Sequence, residues 1–227
     1  MAVLEGGVSA ALAGVGAQAG QGEHFTLKPL SYGTLGYDGP TGHYRTRFRL
    51  QPPASTVAAS PLWTIRNAGP LLVVLTRLVL RISQIAIAGT AQADRIAAVH
   101  YSGMVSDPTT NFSNPTMSIK RGSTMAPAPT ATVFQWTGAG TTGMSSPAAD
   151  SVSNGTIAEL PFIVSAAAIN TTTIWGPLDV LDDMNGAHPF ALATNEAIKI
   201  LSGGLTMGIP PGIAIHIDCS WAEVPAF

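Results

Sequence analysis

Arg45, Arg47 and Arg49 alternate with Thr46 and Phe48 in the run Tyr44 to Leu50, a spacing of two that aligns three guanidinium groups. A helix would scatter these side chains around its circumference, whereas successive side chains of a strand point to opposite faces. The spacing therefore predicts a strand with a charged face, and Tyr44, Phe48 and Leu50 on the other face. Arg77 and Arg81 repeat the device within Leu75 to Ile82, opposite Leu78, Leu80 and Ile82. Charged residues make up only 11% of the chain, against roughly 25% in an average globular domain. A chain this poor in charge that still aligns arginines is expected to use them to meet an acidic partner surface. Arg45, Arg47, Arg49, Arg77 and Arg81 are thus the candidate partner-binding residues. An uncompensated buried charge costs several kcal/mol, so they must face solvent, carboxylates of the same chain, or a partner.

Other reactive side chains carry weaker signals. His24, His43, His100, His188 and His216 never fall at the spacing of a ligand pair, and each reads as a surface or packing residue. Cys219 lies on the apolar face of its segment, where a thiol acts as a small hydrophobe rather than a nucleophile. Asp179, Asp182 and Asp183 form a carboxylate cluster ahead of Asn185-Gly186. It lacks the alternating oxygen ligands and closing glutamate of a calcium loop, and reads as an acidic turn. Asp179 with Asp182 or Asp183 could also supply the two carboxyls of glycoside hydrolysis, an alternative that nothing else in the sequence supports. Gly138, Gly140 and Gly143 spell GxGxxG, but Thr, Ser and Pro surround them and no helix follows, so the segment reads as a loop. No phosphate loop, GxSxG elbow or HExxH occurs. The expectation is therefore a protein without catalytic residues, cofactor or metal.

The elements that must carry these residues come from length and composition. At 227 residues with 46% hydrophobic content, mean hydropathy +0.28, 24 glycines and 17 prolines, one large all-β domain is expected. The longest apolar stretch, near Leu71 to Ile82, is cut by Arg77 and Arg81. That falls short of the roughly 20 apolar residues of a membrane span, so no membrane association is expected. The surplus hydrophobicity must be buried within the fold or between subunits. Net charge is −2, yet residues 1–121 sum to +5 and residues 122–227 to −7. Either the halves interleave and pair their charges internally, or the subunit has a basic and an acidic face built for docking. Interleaved aromatics are limited to Tyr44 and Phe48 and the net charge is negative, which favours protein partners over nucleic acid. The lone cysteine excludes an intrachain disulfide and fits a reducing compartment. No basic n-region of a signal peptide precedes Lys28, so the Asn-x-Ser/Thr sequences at Asn111, Asn154 and Asn170 read as chance.

Residues 1–24 are small and Gly-rich and read as a flexible arm ordered only against a neighbour. Phe25 to Gly42 reads as an irregular loop, with the single sandwich domain taken as 25–227. Strands are expected at Tyr44–Leu50, Leu62–Arg66, Leu71–Ile82, Ala131–Trp136, Ile157–Val164, Thr172–Trp175, Phe190–Ala193, Ala197–Leu201 and Ile213–Trp221. The Asn67-Ala68-Gly69-Pro70 turn is expected to join the second and third as a hairpin. Ile85 to Ser102 is ambiguous: Ala91 to Val99 suits two turns of helix, and Ala97–Tyr101 equally suits a strand that follows. Residues 103–130 and 137–156 read as long loops around Ala131–Trp136. Ile213, Ile215, Ile217, Cys219 and Trp221 share one face of the last strand, the strongest half-buried signal in the chain. The resulting fold class is an all-β, antiparallel, jelly-roll-like β-sandwich with long loops.

Pro189 to Ile200 (PFALATNEAIKI), then Pro210-Pro211-Gly212 and Ile213 to Glu223 (IAIHIDCSWAE), resemble the close of many tailed-bacteriophage virion proteins. Leu62 to Asn67 (LWTIRN) followed by the long apolar strand does so as well. The resemblance spans roughly residues 25–225 and implies a β-rich structural protein present in many copies. Its leading implication is a non-enzymatic capsid decoration or cement protein on the outer surface of the phage head, present in the host cytoplasm during assembly. Its partners would be the major capsid protein and itself, as a homotrimer. The alternative is a tail or head fibre, or a receptor-binding protein, that binds host surface glycans.

Sparse charge with high hydropathy predicts a closed oligomer burying more than about 1,000 Å² per pair of subunits. Light scattering at micromolar concentration should report a trimer or other closed assembly; a stable, soluble monomer contradicts this expectation.

Overall fold

The computed structural model describes residues 43–51, 59–87, 91–115, 117–119, 129–139, 142–144, 152–166, 173–181, 190–203 and 209–224. The 1–24 arm, the Phe25 to Gly42 loop, Asp182, Asp183, His24 and His188 lie outside these residues. The described strands are β1 (His43–Leu50), β2 (Ser60–Asn67), β3 (Leu72–Gln84), β4 (Gln92–Ser102), β5 (Phe112–Ser113) and β6 (Met117–Ile119). They continue with β7 (Ala131–Trp136), β8 (Val152–Val164), β9 (Thr173–Asp179), β10 (Phe190–Leu192), β11 (Ala197–Ser202) and β12 (Ile213–Val224). No helix occurs among the described residues.

All strand pairs are antiparallel and form two packed sheets, a β-sandwich. One has the order β10-β3-β12-β1-β6, with β9 paired to β3 beyond β10; the other is β5-β7-β2-β11-β4-β8. In the first sheet β12 pairs with β1 from His43↔Ala222 to Leu50↔Ile215, and with β3 from Ile213↔Gln84 to Val224↔Leu72. Its inward face carries the expected Ile213, Ile215, Ile217, Cys219 and Trp221, all buried. Tyr44, Phe48 and Leu50 of β1 join them, as do Leu78, Leu80 and Ile82 of β3. The second sheet contributes Trp63, Ile65, Val133, Ile198 and Ile200 to the same core. Tyr44 stacks on Trp221 with ring centroids 5.6 Å apart.

Two local devices keep these faces in phase. On β3, Ser220 pairs with Arg77 and Trp221 with Leu75, which leaves Thr76 as the extra residue of a bulge. The bulge switches the strand's parity, so Leu75 and Leu78 both lie fully buried while Arg77 stays on the outside. Ahead of β12, Gly212 adopts φ +91° and its carbonyl accepts from Ile85 N (2.8 Å) and Ala86 N (3.1 Å). A Cβ there would lie 2.9 Å from the Ala86 carbonyl oxygen, so the turn that sets the β12 register against β3 requires glycine.

Three expectations about local structure are corrected. Asn67-Ala68-Gly69-Pro70 does not close a hairpin: β2 lies in one sheet and β3 in the other. The connection is a corner organised by the buried Asn67. Its side-chain amide donates to the carbonyls of Leu71 (2.6 Å) and Leu192 (2.9 Å), and its Oδ1 accepts from Gly69 N at 3.0 Å. These bonds satisfy main-chain groups that leave one ladder before the next begins. The helical option for Ala91 to Val99 is also excluded. The segment belongs to β4, both of whose edges are paired, to β11 and to β8, and this tertiary pairing outweighs alanine's local preference. β8 begins at Val152, inside the expected 137–156 loop.

One buried carboxylate ties the sheets together. Glu223, on β12, is 1% exposed and accepts from Thr130 N, Thr130 Oγ1 and Ala131 N at 2.8 to 2.9 Å, at the start of β7 in the opposite sheet. Trp221 Nε1 donates to the same carboxylate at 3.2 Å. Burial and then the Glu223 charge push the Tyr44 hydroxyl up to about 12. Replacing Glu223 with alanine strands these four donors and should lower the unfolding free energy by about 3 kcal/mol or more. Urea denaturation reads this directly, with Glu223→Gln intermediate because it keeps one acceptor oxygen; an unchanged midpoint in Glu223→Ala contradicts the tie.

Candidate functional site

The outward face of the first sheet is set by the same register that builds the core. Because opposed residues of an antiparallel pair share a face, three cross-strand rows run over β1, β12 and β3. They are Arg45–Ser220–Arg77, Arg47–Asp218–Val79 and Arg49–His216–Arg81. All five arginines singled out from the sequence thus meet on one surface, brought by two strands that are not neighbours and joined by a third. They line an open concavity of about 590 Å³, with Phe48, Val79 and Ile217 among its lining residues.

Among the described residues Asp218 is the one carboxylate lining this concavity. Arg45 holds it bidentately, with Nε donating to Oδ1 at 2.8 Å and Nη2 donating to Oδ2. Arg77 Nε lies 3.4 Å and Arg47 Nε 3.7 Å from Oδ2. Burial alone would raise the Asp218 carboxyl, but the Arg45 hydrogen bonds and the charges of Arg45, Arg47 and Arg77 outweigh it and hold the group below its ordinary range. The Asp218 hydrogen bond in turn raises Arg45. The side chain of Arg47 is 71% exposed and that of Arg77 49%, so these two arms of the cluster stand largely in solvent. Arg49 and Arg81 are exposed too, and no carboxylate of the described residues lies within ion-pair distance of either. His216, between them, has its Nε2 3.4 Å from Ser83 Oγ. Its pKa is lowered, by burial first and then by repulsion from Arg49 and Arg81. With His216 neutral, five guanidinium groups face one carboxylate among the described residues, a surplus of four positive charges.

The charge segregation seen in the sequence is thus partly paired off within the fold. Arg45 with Asp218, and Arg95 of β4 with Glu159 of β8, each join the basic half of the chain to the acidic half. The surplus positive charge collects on the outer sheet face. Such a surface can hold carboxylates or other oxyanions through the planar donor fork of arginine.

The remaining candidates separate. Asp179 lies on β9 opposite Val79, one strand beyond the Asp218 row, and its Oδ1 accepts from Leu181 N at 3.2 Å. Among the described residues no group of three or more His, Cys, Asp or Glu could hold a metal ion. His100 packs edge-on against Phe190 and its Nε2 lies 3.5 Å from Glu196 Oε1. Cys219 is fully buried, and burial pushes its thiol up. Of the GxGxxG letters, Gly138 and Gly143 lie outside any strand and Gly140 lies outside the described residues. Sequence reasoning did not place His216 and Asp218 in the arginine cluster. Their one signal was a position on the polar face of the last strand, and nothing local showed that β1 and β3 would flank it. Lys199 was also missed: it is buried, lies over the Tyr101 ring at 4.0 Å from the centroid, and burial lowers its pKa to about 8. Comparison with family models, characterised proteins and solved structures finds no match to this chain.

The depressed His216 pKa has a defined effect on stability. Below its ordinary value near 6.5 the unfolded chain takes up a proton that the folded chain refuses, so stability is lost as pH falls from that value toward the folded one. Thermal melting between pH 7.5 and 5.5 should decline for the wild type and decline less for His216→Gln. Equal slopes in the two proteins contradict the assignment.

Proposed function

We propose that this protein is a non-enzymatic binding module whose arginine-lined sheet face docks against an acidic protein surface. The observation that carries this reading is the concentration of all five outward arginines of β1 and β3 around Asp218, the single carboxylate among the described residues on this open face. An internal ion-pair network would bring carboxylates in comparable number. Here Asp218 locks Arg45, while Arg77 remains about half exposed and Arg47 more than half. Charge left over on an open surface acts on encounter rate, register and choice of partner.

The resemblance of strand ends and turns to tailed-phage virion proteins suggests what the partner is. In this reading the protein is a capsid decoration protein, assembled as a homotrimer on the outside of the head, and the acidic surface belongs to the major capsid protein. Each copy would bury area across joints between capsid subunits and raise the free energy of separating them, an effect multiplied by symmetry. Several large apolar side chains on the sandwich surface, among them Val152, Ile163 and Ile174, are available for contacts between copies.

Replacing Arg47 and Arg49 together by serine should leave the melting temperature nearly unchanged. Binding to partner particles at about 0.1 M salt should weaken about tenfold, and its dependence on ionic strength should flatten. A double variant that unfolds, or wild-type binding indifferent to salt, would make the arginines internal structural groups and end the docking reading.

A further inference from the structure

The sheet contains its own template for what the arginine face accepts. Asp218 lies at the centre of β12, with arginines reaching it from β1 on one side and β3 on the other. Two residues earlier on the same strand and face, about 6.8 Å along, His216 occupies the equivalent central position. Arg49 stands directly opposite it on β1 and Arg81 directly opposite on β3. The flanking guanidinium groups are repeated and the carboxylate is not. We infer that the Arg49–His216–Arg81 row is a subsite for a carboxylate carried by a protein partner, an aspartate or glutamate side chain that completes this row as Asp218 completes its neighbours.

Three observations favour this ligand over a nucleic-acid backbone. Asp218 sits in the middle of the concavity and Asp179 lies one strand past it, so a continuous chain of phosphates would run against two carboxylates. An isolated acidic side chain, entering at the Arg49 and Arg81 end, avoids both. The chain as a whole carries a net charge of −2, which opposes long-range attraction of a polyanion.

Occupation of the row must also change the state of His216. The groups facing this imidazole are Arg49 and, diagonally, Arg47 from β1, Arg81 and the Ser83 hydroxyl from β3, and Asp218 on its own strand. Two of them, Arg49 and Arg81, disfavour its protonation. A carboxylate laid between those two offsets their repulsion and adds an attraction, so binding takes up a proton and tightens as pH falls toward 6. The identity of the partner rests on the docking reading given above, whereas carboxylate binding by the row does not.

The test is an NMR titration of the His216 imidazole in the full chain between pH 5.5 and 8, alone and with hexaglutamate, inorganic phosphate or a short oligothymidine. Hexaglutamate should shift the His216 signals saturably and raise the midpoint by about one pH unit. Arg49→Gln with Arg81→Gln should abolish both effects, and Arg95→Gln, on the opposite sheet, should preserve them. If the double variant is poorly folded, Arg81→Gln alone should still weaken hexaglutamate binding about fivefold or more. Silence of His216 toward hexaglutamate at millimolar concentration, or an equal response in the folded variants, overturns the proposal. An equal response to phosphate, or tighter binding of oligothymidine, overturns the assignment to a protein carboxylate. Particle binding by the Arg49→Gln, Arg81→Gln protein separates the two readings. A His216 response to hexaglutamate with undiminished particle binding leaves the subsite and removes the docking face; lost particle binding with a silent His216 does the reverse.

Discussion

Like charges on neighbouring strands repel, and this molecule places five guanidinium groups on two strands of one sheet. The arrangement stands because β12 is inserted between β1 and β3 and carries Asp218 at the point where three of the arginines converge. With a strand interposed, arginines on β1 and β3 are separated by about two strand spacings, roughly 10 Å, comparable to the screening length at physiological salt. Asp218 then supplies the attraction where they approach most closely. The outer face of the sheet is therefore organised by one short acidic side chain, which reaches Arg45, Arg47 and Arg77 and leaves Arg49 and Arg81 beyond ion-pair distance.

On its other side β12 is equally committed. Trp221 and Cys219 fill the core, and Glu223 reaches across to the first residues of β7. A strand that pairs along both edges, packs on one face and neutralises charge on the other has little freedom of register, because a slip of one residue would put Asp218 in the core and Cys219 among the arginines. The Gly212 turn and the bulge at Thr76 fix that register from two ends. Arginine face and core are thus two sides of one alignment.

Strand periodicity was legible wherever one face is wet. Tyr44 to Leu50 and Ile213 to Trp221 alternate cleanly because polar groups project outward, and both lie where the pattern puts them. The signal failed where both faces are covered. In β4 the buried run Ile96 to Val99 shows no alternation, so helix and strand were equally open. Asn67-Ala68-Gly69-Pro70 has the composition of a hairpin turn, and only the opposing sheets distinguish it from a corner. The five arginines were visible as two separate stripes. Their union, and the entry of His216 and Asp218 between them, depended on pairing between residues far apart in the chain. Glu223 lies two residues past the expected end of the last strand, and its partners, Thr130 at the end of an expected loop and Ala131 at the start of an expected strand, gave no sign of an inter-sheet tie.

The position of β12 between β1 and β3 also has a kinetic side. Arg45 and Asp218 are 173 residues apart, so at the ribosome's 5–20 residues per second the strand that must receive β1 emerges about 9 to 35 s after it. Through that interval β1 and β3 offer unpaired edges of high β-propensity, the ordinary starting point of edge-to-edge aggregation. Their arginines act as gatekeepers during the wait. Direct annealing of β1 onto β3, or of two nascent copies through the same edges, would set guanidinium against guanidinium and is penalised. The charge exposed on the finished face thus first protects the unfinished chain, holding a place in the sheet for the strand with the matching acid.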